Sequence, residues 1–176
     1  MILGIDPGFA HCGIALVEWH PRARRLAQWD CIDTKPDTAG ELRFATIIER
    51  LDAWMTGVDL VVIEDMRGVR HGKNREHAAG AHDDPVLGIM WAAMALAARR
   101  GIPVRLVQPQ SSTAAVGVRK LVRTPGETEH KFKARRKAET ERAVRVLLER
   151  PIDMPVDCFD AAAHAIAGKI GKGRAW

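Results

Sequence analysis

Four acidic residues stand where acids are costly to leave unpaired. Asp6 ends an apolar run, "MILGID", and the turn residues Pro7-Gly8 follow at once. Glu64 ends a second run, "LVVIE". Asp157 and Asp160 lie three residues apart in "VDCFDAAAHAIA", a spacing that puts both on one face of a helix. If the two strands are neighbours and the helix face meets their ends, three or four carboxylates converge. Such a group is tolerable when a divalent cation neutralises it. Mg²⁺ takes hard oxygen ligands and keeps several waters. Two such ions about 4 Å apart activate a water and stabilise the leaving oxygen of a phosphodiester. Taken singly, each acid also has a plain structural role. Asp6 can end its own turn, and Glu64 can reach solvent from a strand end. Asp157 can cap its helix, with Asp160 favoured by the helix dipole. Asp65, next to Glu64, points to the opposite face of its strand and is left out of the set.

The charge distribution points the same way. The chain carries 27 Lys/Arg and 22 Asp/Glu, a net +5, but unevenly. Residues 99–150 hold 14 Lys/Arg against 5 Asp/Glu, and the remainder holds 13 against 17. One basic segment on an otherwise acidic protein suggests a polyanionic partner, nucleic acid above all. Candidate phosphate contacts are Lys131, Lys133, Arg135, Arg136 and Lys137, with Arg119 and Lys120 beside them. Ser112 and Thr113 open a short helix whose free N–H groups could take a phosphate, although plain capping is the commoner role. Arg67, Arg70 and Lys73, in a polar loop, are further candidates for DNA contact. His71, His77 and His82 have no zinc-site spacing. His164, one turn beyond Asp160, reads as a packed helix residue, with support of a metal ligand as the sharper alternative.

The elements that must position these residues follow from hydrophobic period and turn signals. Strands are expected at 2–6, 13–19 and 26–32, joined by short turns as an antiparallel meander. "TAGE" at Thr38–Glu41 has capping-box spacing before a helix with apolar Leu42, Ala45, Ile48, Leu51 and Met55. A buried strand at 58–65 should pair parallel to the first. A loop fills 66–84. A helix at 85–100 is apolar on nearly every face, as in a core or a subunit interface. A fifth strand at 102–107, a short helix, an exposed loop at 123–131, a basic helix to about 150 and a last helix at 157–170 complete the order. The expectation is one α/β domain over 1–176, a five-stranded mixed sheet with helices on both faces, the arrangement of an RNase H-like fold. The 176 residues, 47% of them hydrophobic, are enough for one sizeable core. The three cysteines form no CxxC, and Cys12 and Cys31 are placed to face each other across a hairpin. No apolar stretch reaches 18 residues and no signal peptide is evident, so a cytoplasmic protein without a membrane partner is expected.

At these residues the chain resembles the RuvC-type Holliday-junction resolvases. The matching pieces are "GIDPG" at 4–8, "VVIED" at 61–65, "VGVRK" at 116–120 and "VDCFDAAAHAIA" at 156–167. The resemblance implies a homodimeric endonuclease that places paired symmetric nicks across a four-way DNA junction, with two Mg²⁺ ions, or Mn²⁺ in their place. It makes Asp6, Glu64, Asp157 and Asp160 the metal ligands and puts Lys137 near the scissile phosphate. It makes helix 85–100 the dimer helix. The family's bacterial members carry an aromatic wedge after the strand-four Glu, where this chain has "DMRGVRHGKN". The stretch "RKLVRTPGETEHKFKARRK" is also longer and more basic than the family's usual loop. Both departures would suit a phage or mobile-element relative. They keep open a broader activity on flaps and forks, and less readily a junction-binding protein without catalysis.

Overall fold

The run Ile2–Asp6 forms strand β1, and its residues are apolar in succession because helices cover both of its faces. The computed structural model describes residues 1–20, 23–68, 85–118, 121–148, 153–171 and 174–175. Strands β2 (His11–His20) and β3 (Ala23–Asp33) continue the chain as an antiparallel meander. Helix α1 (Gly40–Trp54) then crosses over to β4 (Leu60–Glu64), which pairs parallel with β1. Helix α2 (Pro85–Arg99) leads to β5 (Val104–Val107), parallel to β4. Helices α3 (Pro109–Ala115), α4 (Glu129–Leu147) and α5 (Val156–Lys169) follow. A two-residue strand β6 (Arg174–Ala175) closes the edge antiparallel to β5. The sheet order is β3-β2-β1-β4-β5-β6. The five expected strands are all present in the expected mixed arrangement, and β6 is an addition to them.

The two faces of the sheet bury different helices. Leu3, Ile5, Ile14, Val61 and Ile63 pack with Ile47 and Leu51 of α1 and with Ile89 and Met90 of α2. Ile2, Ala15, Val17 and Val62 pack instead with α5, through Phe159, Ala161, Ala162 and Ile166. Helices α3 and α4 lie against α5. Helix α5 is buried on every side from Ala161 to Gly168, and the alanines there keep it thin. It comes close enough that a Cβ built on Gly4 would stand 1.9 Å from the Ala161 carbonyl oxygen. A Cβ on Gly13 would stand 2.2 Å from the Asp157 carbonyl oxygen.

Three local expectations are corrected. The Thr38–Glu41 capping box does not form. The Thr38 amide closes a turn onto Lys35, α1 starts at Gly40, and its N-cap Ala39 has no side-chain acceptor to cap it. The loop expected to run to Lys131 stops at Thr128, whose hydroxyl accepts from the Lys131 amide at 3.3 Å and starts α4 three residues earlier. Cys12 and Cys31 do not face each other. Cys12 pairs in register with Ile32 and Cys31 with Gly13, so the two thiols lie on opposite faces of the sheet. All three cysteines are free.

The contact between α5 and β1 generates a stability prediction. Gly4→Ala forces a methyl into a backbone carbonyl that cannot rotate away, and overpacking of this kind costs about 1–3 kcal/mol. The unfolding free energy is expected to fall by that much, read as a lower midpoint of denaturant unfolding with the slope unchanged. An unchanged midpoint would mean that α5 is not held against the strand.

Candidate active site

Parallel pairing puts Ile5 level with Ile63, so the residues one step on, Asp6 and Glu64, end adjacent strands side by side. Helix α5 supplies the other two acids. Its N-cap is Pro155 and no side chain caps it, so Asp157, inside the first turn, is not the cap residue. One oxygen each from Asp6, Asp157 and Asp160 lie within 4.8 Å of one another. Asp6 and Glu64 form a second such group with His164. Asp6, Glu64, Asp160, Arg136, Lys137 and His164 line one cleft. The four acids predicted from the sequence are therefore brought together, with Asp157 beside the cleft and held by Lys137.

The electrostatics are those of an over-acidic site partly balanced from outside. Burial, and then the charges of Glu64 and Asp160, push the Asp6 carboxyl well above its ordinary range. Burial likewise raises Asp160, against the opposing pull of His164 and Lys137. Burial also works to raise Glu64, but His164, Asp6 and Arg136 together bring it below the usual carboxylate value. Neighbouring carboxyls that push each other to opposite sides of their ordinary values titrate as one coupled group. The Lys137 ammonium lies 3.1 Å from Asp157 Oδ1 and 3.6 Å from Asp160 Oδ2. Burial lowers its pKa, but these acids leave it raised, so it enters the cleft charged.

The remaining basic residues separate by position. Arg136 lines the cleft with Lys137. Lys131 and Lys133, on the first turns of the same helix, are exposed, and Lys133 bridges Glu129 at 2.9 Å. Arg135 is engaged elsewhere. It holds Glu127 through two hydrogen bonds of 2.8 and 3.0 Å and donates to the Val122 carbonyl at 3.0 Å, tying the loop before α4 onto the helix. Arg67 clamps Asp65 at 2.9 and 3.0 Å. The expectation for Ser112 is corrected. Its amide donates to the Gln108 carbonyl and its buried hydroxyl lies 2.7 Å from His164 Nδ1, so it has no free N–H for a phosphate. Arg70, Lys73, Arg119 and Lys120 lie outside the described residues, as does most of "DMRGVRHGKN", the segment that departs from the family's aromatic wedge. The pairing of Ser112 with His164 was not foreseen. Its only signal in the sequence is a histidine one turn after Asp160.

A family model described as crossover junction endodeoxyribonuclease RuvC matches residues 2–167. The chain belongs to the RuvC family. A RuvC of Pseudarthrobacter chlorophenolicus is 30% identical over 98% of this chain and 82% of its own length. A RuvC of Bifidobacterium longum subsp. infantis is 32% identical over 94% of this chain and 77% of its own. Thermus thermophilus RuvC in complex with a Holliday junction substrate superposes with a TM-score of 0.74 over 99% of both chains, at 20% identity. The fold is thus that of RuvC. No described helix is long and apolar enough to cross a membrane.

The donor set fits a divalent cation: carboxylate oxygens from three elements, held close and under mutual repulsion. Asp6 sets the pH dependence. Its folded-state pKa lies above the unfolded value, so ionising it costs stability. The cost is absent below the unfolded pKa, grows as pH rises through the folded pKa, and is full above it. A bound cation removes the cost and competes with the proton. The rise in melting temperature on adding Mg²⁺ or Mn²⁺ over EDTA is therefore expected to be larger at pH 8 than at pH 5, and to shrink in Asp6→Asn. Equal rises at both pH values would contradict the assignment.

Proposed function

We propose that this RuvC family member is a metal-dependent endonuclease that resolves four-way DNA junctions by paired nicks. The observation that carries the proposal is the single cleft in which Asp6, Glu64 and Asp160 meet Arg136 and Lys137. Asp6, Glu64, Asp157 and Asp160 would hold two Mg²⁺ or Mn²⁺ ions. Ions bound there supply an activated water and charge stabilisation for the leaving oxygen of a phosphodiester. The chain's own residues do the rest. Lys137, charged and with 45% of its side chain exposed, reaches from the acids toward solvent and can bind a phosphate oxygen. Arg136 adds a second cation to the same cleft, so a phosphate entering it meets positive as well as negative groups. Lys131 and Lys133 extend the cationic side along α4, where a surface pair such as Lys133–Glu129 is weak enough to exchange for phosphate. The bound substrate named for the Thermus relative, a Holliday junction, supports the choice of branched DNA.

A four-way junction has two equivalent strands to cut, so paired nicks require two sites. The chain is accordingly proposed to act as a homodimer through α2. That helix buries Ile89, Met90, Ala93 and Ala97 against the sheet. It leaves Trp91, 44% exposed, in line with exposed Ala95 and Ala98 on its outer side. An uncharged stripe of this kind suits a second copy of the same helix.

The test uses a labelled synthetic junction, a flap, a fork and a linear duplex, with wild-type protein and Asp6→Asn. Wild type is expected to nick the junction in Mg²⁺ and not in EDTA. Asp6→Asn should lose about 10²–10³-fold or more in rate while binding the junction undiminished. Light scattering on the same wild-type sample should give the mass of a dimer. Asp6→Asn cutting at the wild-type rate would overturn the metal site. Equal cutting of flaps and forks would retire junction selectivity, and a monomer that still places paired nicks would retire the α2 dimer.

A further inference from the structure

Behind the acids lies a buried pair that the four-carboxylate site leaves unused. Ser112 and His164 are each 2% exposed. The Ser112 hydroxyl stands 2.7 Å from His164 Nδ1 and 3.4 Å from the Gln108 carbonyl oxygen. A hydroxyl has one hydrogen and a carbonyl can only accept. With the hydrogen directed at Gln108, Ser112 Oγ accepts from Nδ1–H, and Nε2 is left with a bare lone pair.

That nitrogen faces the acids. Nε2 has no hydrogen-bond partner among the described residues and lies 3.7 Å from Glu64 Oε2. Its ligand group with Asp6 and Glu64 falls within 4.8 Å. A lone pair aimed at two carboxylates is repelled unless a cation lies among them. A proton on Nε2, in the opposite tautomer or in the imidazolium, fares no better within the protein alone: it adds attraction to the acids, but 3.7 Å is too long for a hydrogen bond and the buried donor goes unpaired. A hydrogen-bond acceptor holding the far nitrogen is also the usual way a ligating histidine is oriented.

We propose that His164 Nε2 is a direct metal ligand beside Asp6 and Glu64, and that this nitrogen makes the site favour Mn²⁺ over Mg²⁺. The inference rests on the reading of the acid cluster as a divalent-cation site and adds a fifth residue to it. Mg²⁺ seeks oxygen ligands, whereas a nitrogen ligand suits a transition metal better. Ser112 is then a positioning residue that fixes the imidazole tautomer.

The decisive measurement is pulsed electron paramagnetic resonance on the full chain loaded with Mn²⁺, read for ¹⁴N coupling from a directly bound imidazole. Wild type is expected to show it. His164→Gln should lose the coupling and bind Mn²⁺ about tenfold or more weakly, the scale on which even the supporting partners of metal ligands act. Its Mg²⁺ affinity should change much less. His11→Ala, which alters an exposed histidine paired with Asp33, should leave the coupling intact. Mn²⁺ bound without nitrogen coupling in wild type, or coupling that survives in His164→Gln, would overturn the inference and leave the carboxylate site standing. Failure of wild type to bind Mn²⁺ would overturn both. The wild-type spectrum needs no variant, so a folding defect in His164→Gln does not blunt the test.

Discussion

Helix α5 lies against β1 and β2 with no side chain between them at Gly4 and Gly13, and the acid cluster depends on that approach. The carbonyls of Ala161 and Asp157 occupy the space where side chains of those strand residues would stand. A helix carrying larger residues than Ala161, Ala162, Ala163 and Ala165 would ride farther from the sheet and carry Asp157 and Asp160 away from Asp6. The same packing that buries the helix therefore sets the distance between carboxylates. It also sets their repulsion, which adds to burial in raising the Asp6 and Asp160 carboxyls.

The rest of the site answers that repulsion. Lys137 reaches Asp157 and Asp160 from α4, and Arg136 and His164 act on Glu64. Helix α4 can do this because it packs on α5 through Thr140 and Val144 while its outer face stays charged. Much of that charge is balanced locally. Arg135 holds Glu127, Lys133 holds Glu129, Arg142 holds Glu139 and Arg145 holds Glu141. The surplus of the basic segment thus overstates the charge facing the cleft, where Arg136 and Lys137 stand. Arg135 serves the architecture: Glu127 is held far down, at about 2, by its hydrogen bonds with Arg135 and the Thr124 amide.

What could be read from the sequence was what repeats at short range. The apolar runs of β1 and β4 and the acids that end them implied adjacent carboxylates once the strands were paired. The i, i+3 spacing of Asp157 and Asp160 fixed their common face. Features that depend on distant packing did not show. Gly4 and Gly13 look like ordinary strand residues, and only the approach of α5, more than 140 positions on, gives them a role. Ser112 looked like a helix-start residue because its partner, His164, is 52 residues away. The Thr38–Glu41 motif failed for a local reason: the turn onto Lys35 takes Thr38 before a helix can start. Cys12 and Cys31 were mispaired by one position of register, and one position is enough to send a side chain to the other face.

The central claim is that α5 and two strand ends together form a divalent-metal centre, and crystals soaked in Mn²⁺ test it most directly. Anomalous scattering is expected to place manganese among Asp6, Glu64, Asp157 and Asp160, with Lys137 displaced from at least one of its carboxylates. A map with no anomalous peak at these four residues, in crystals whose protein is folded and whose cleft is open to solvent, would contradict it.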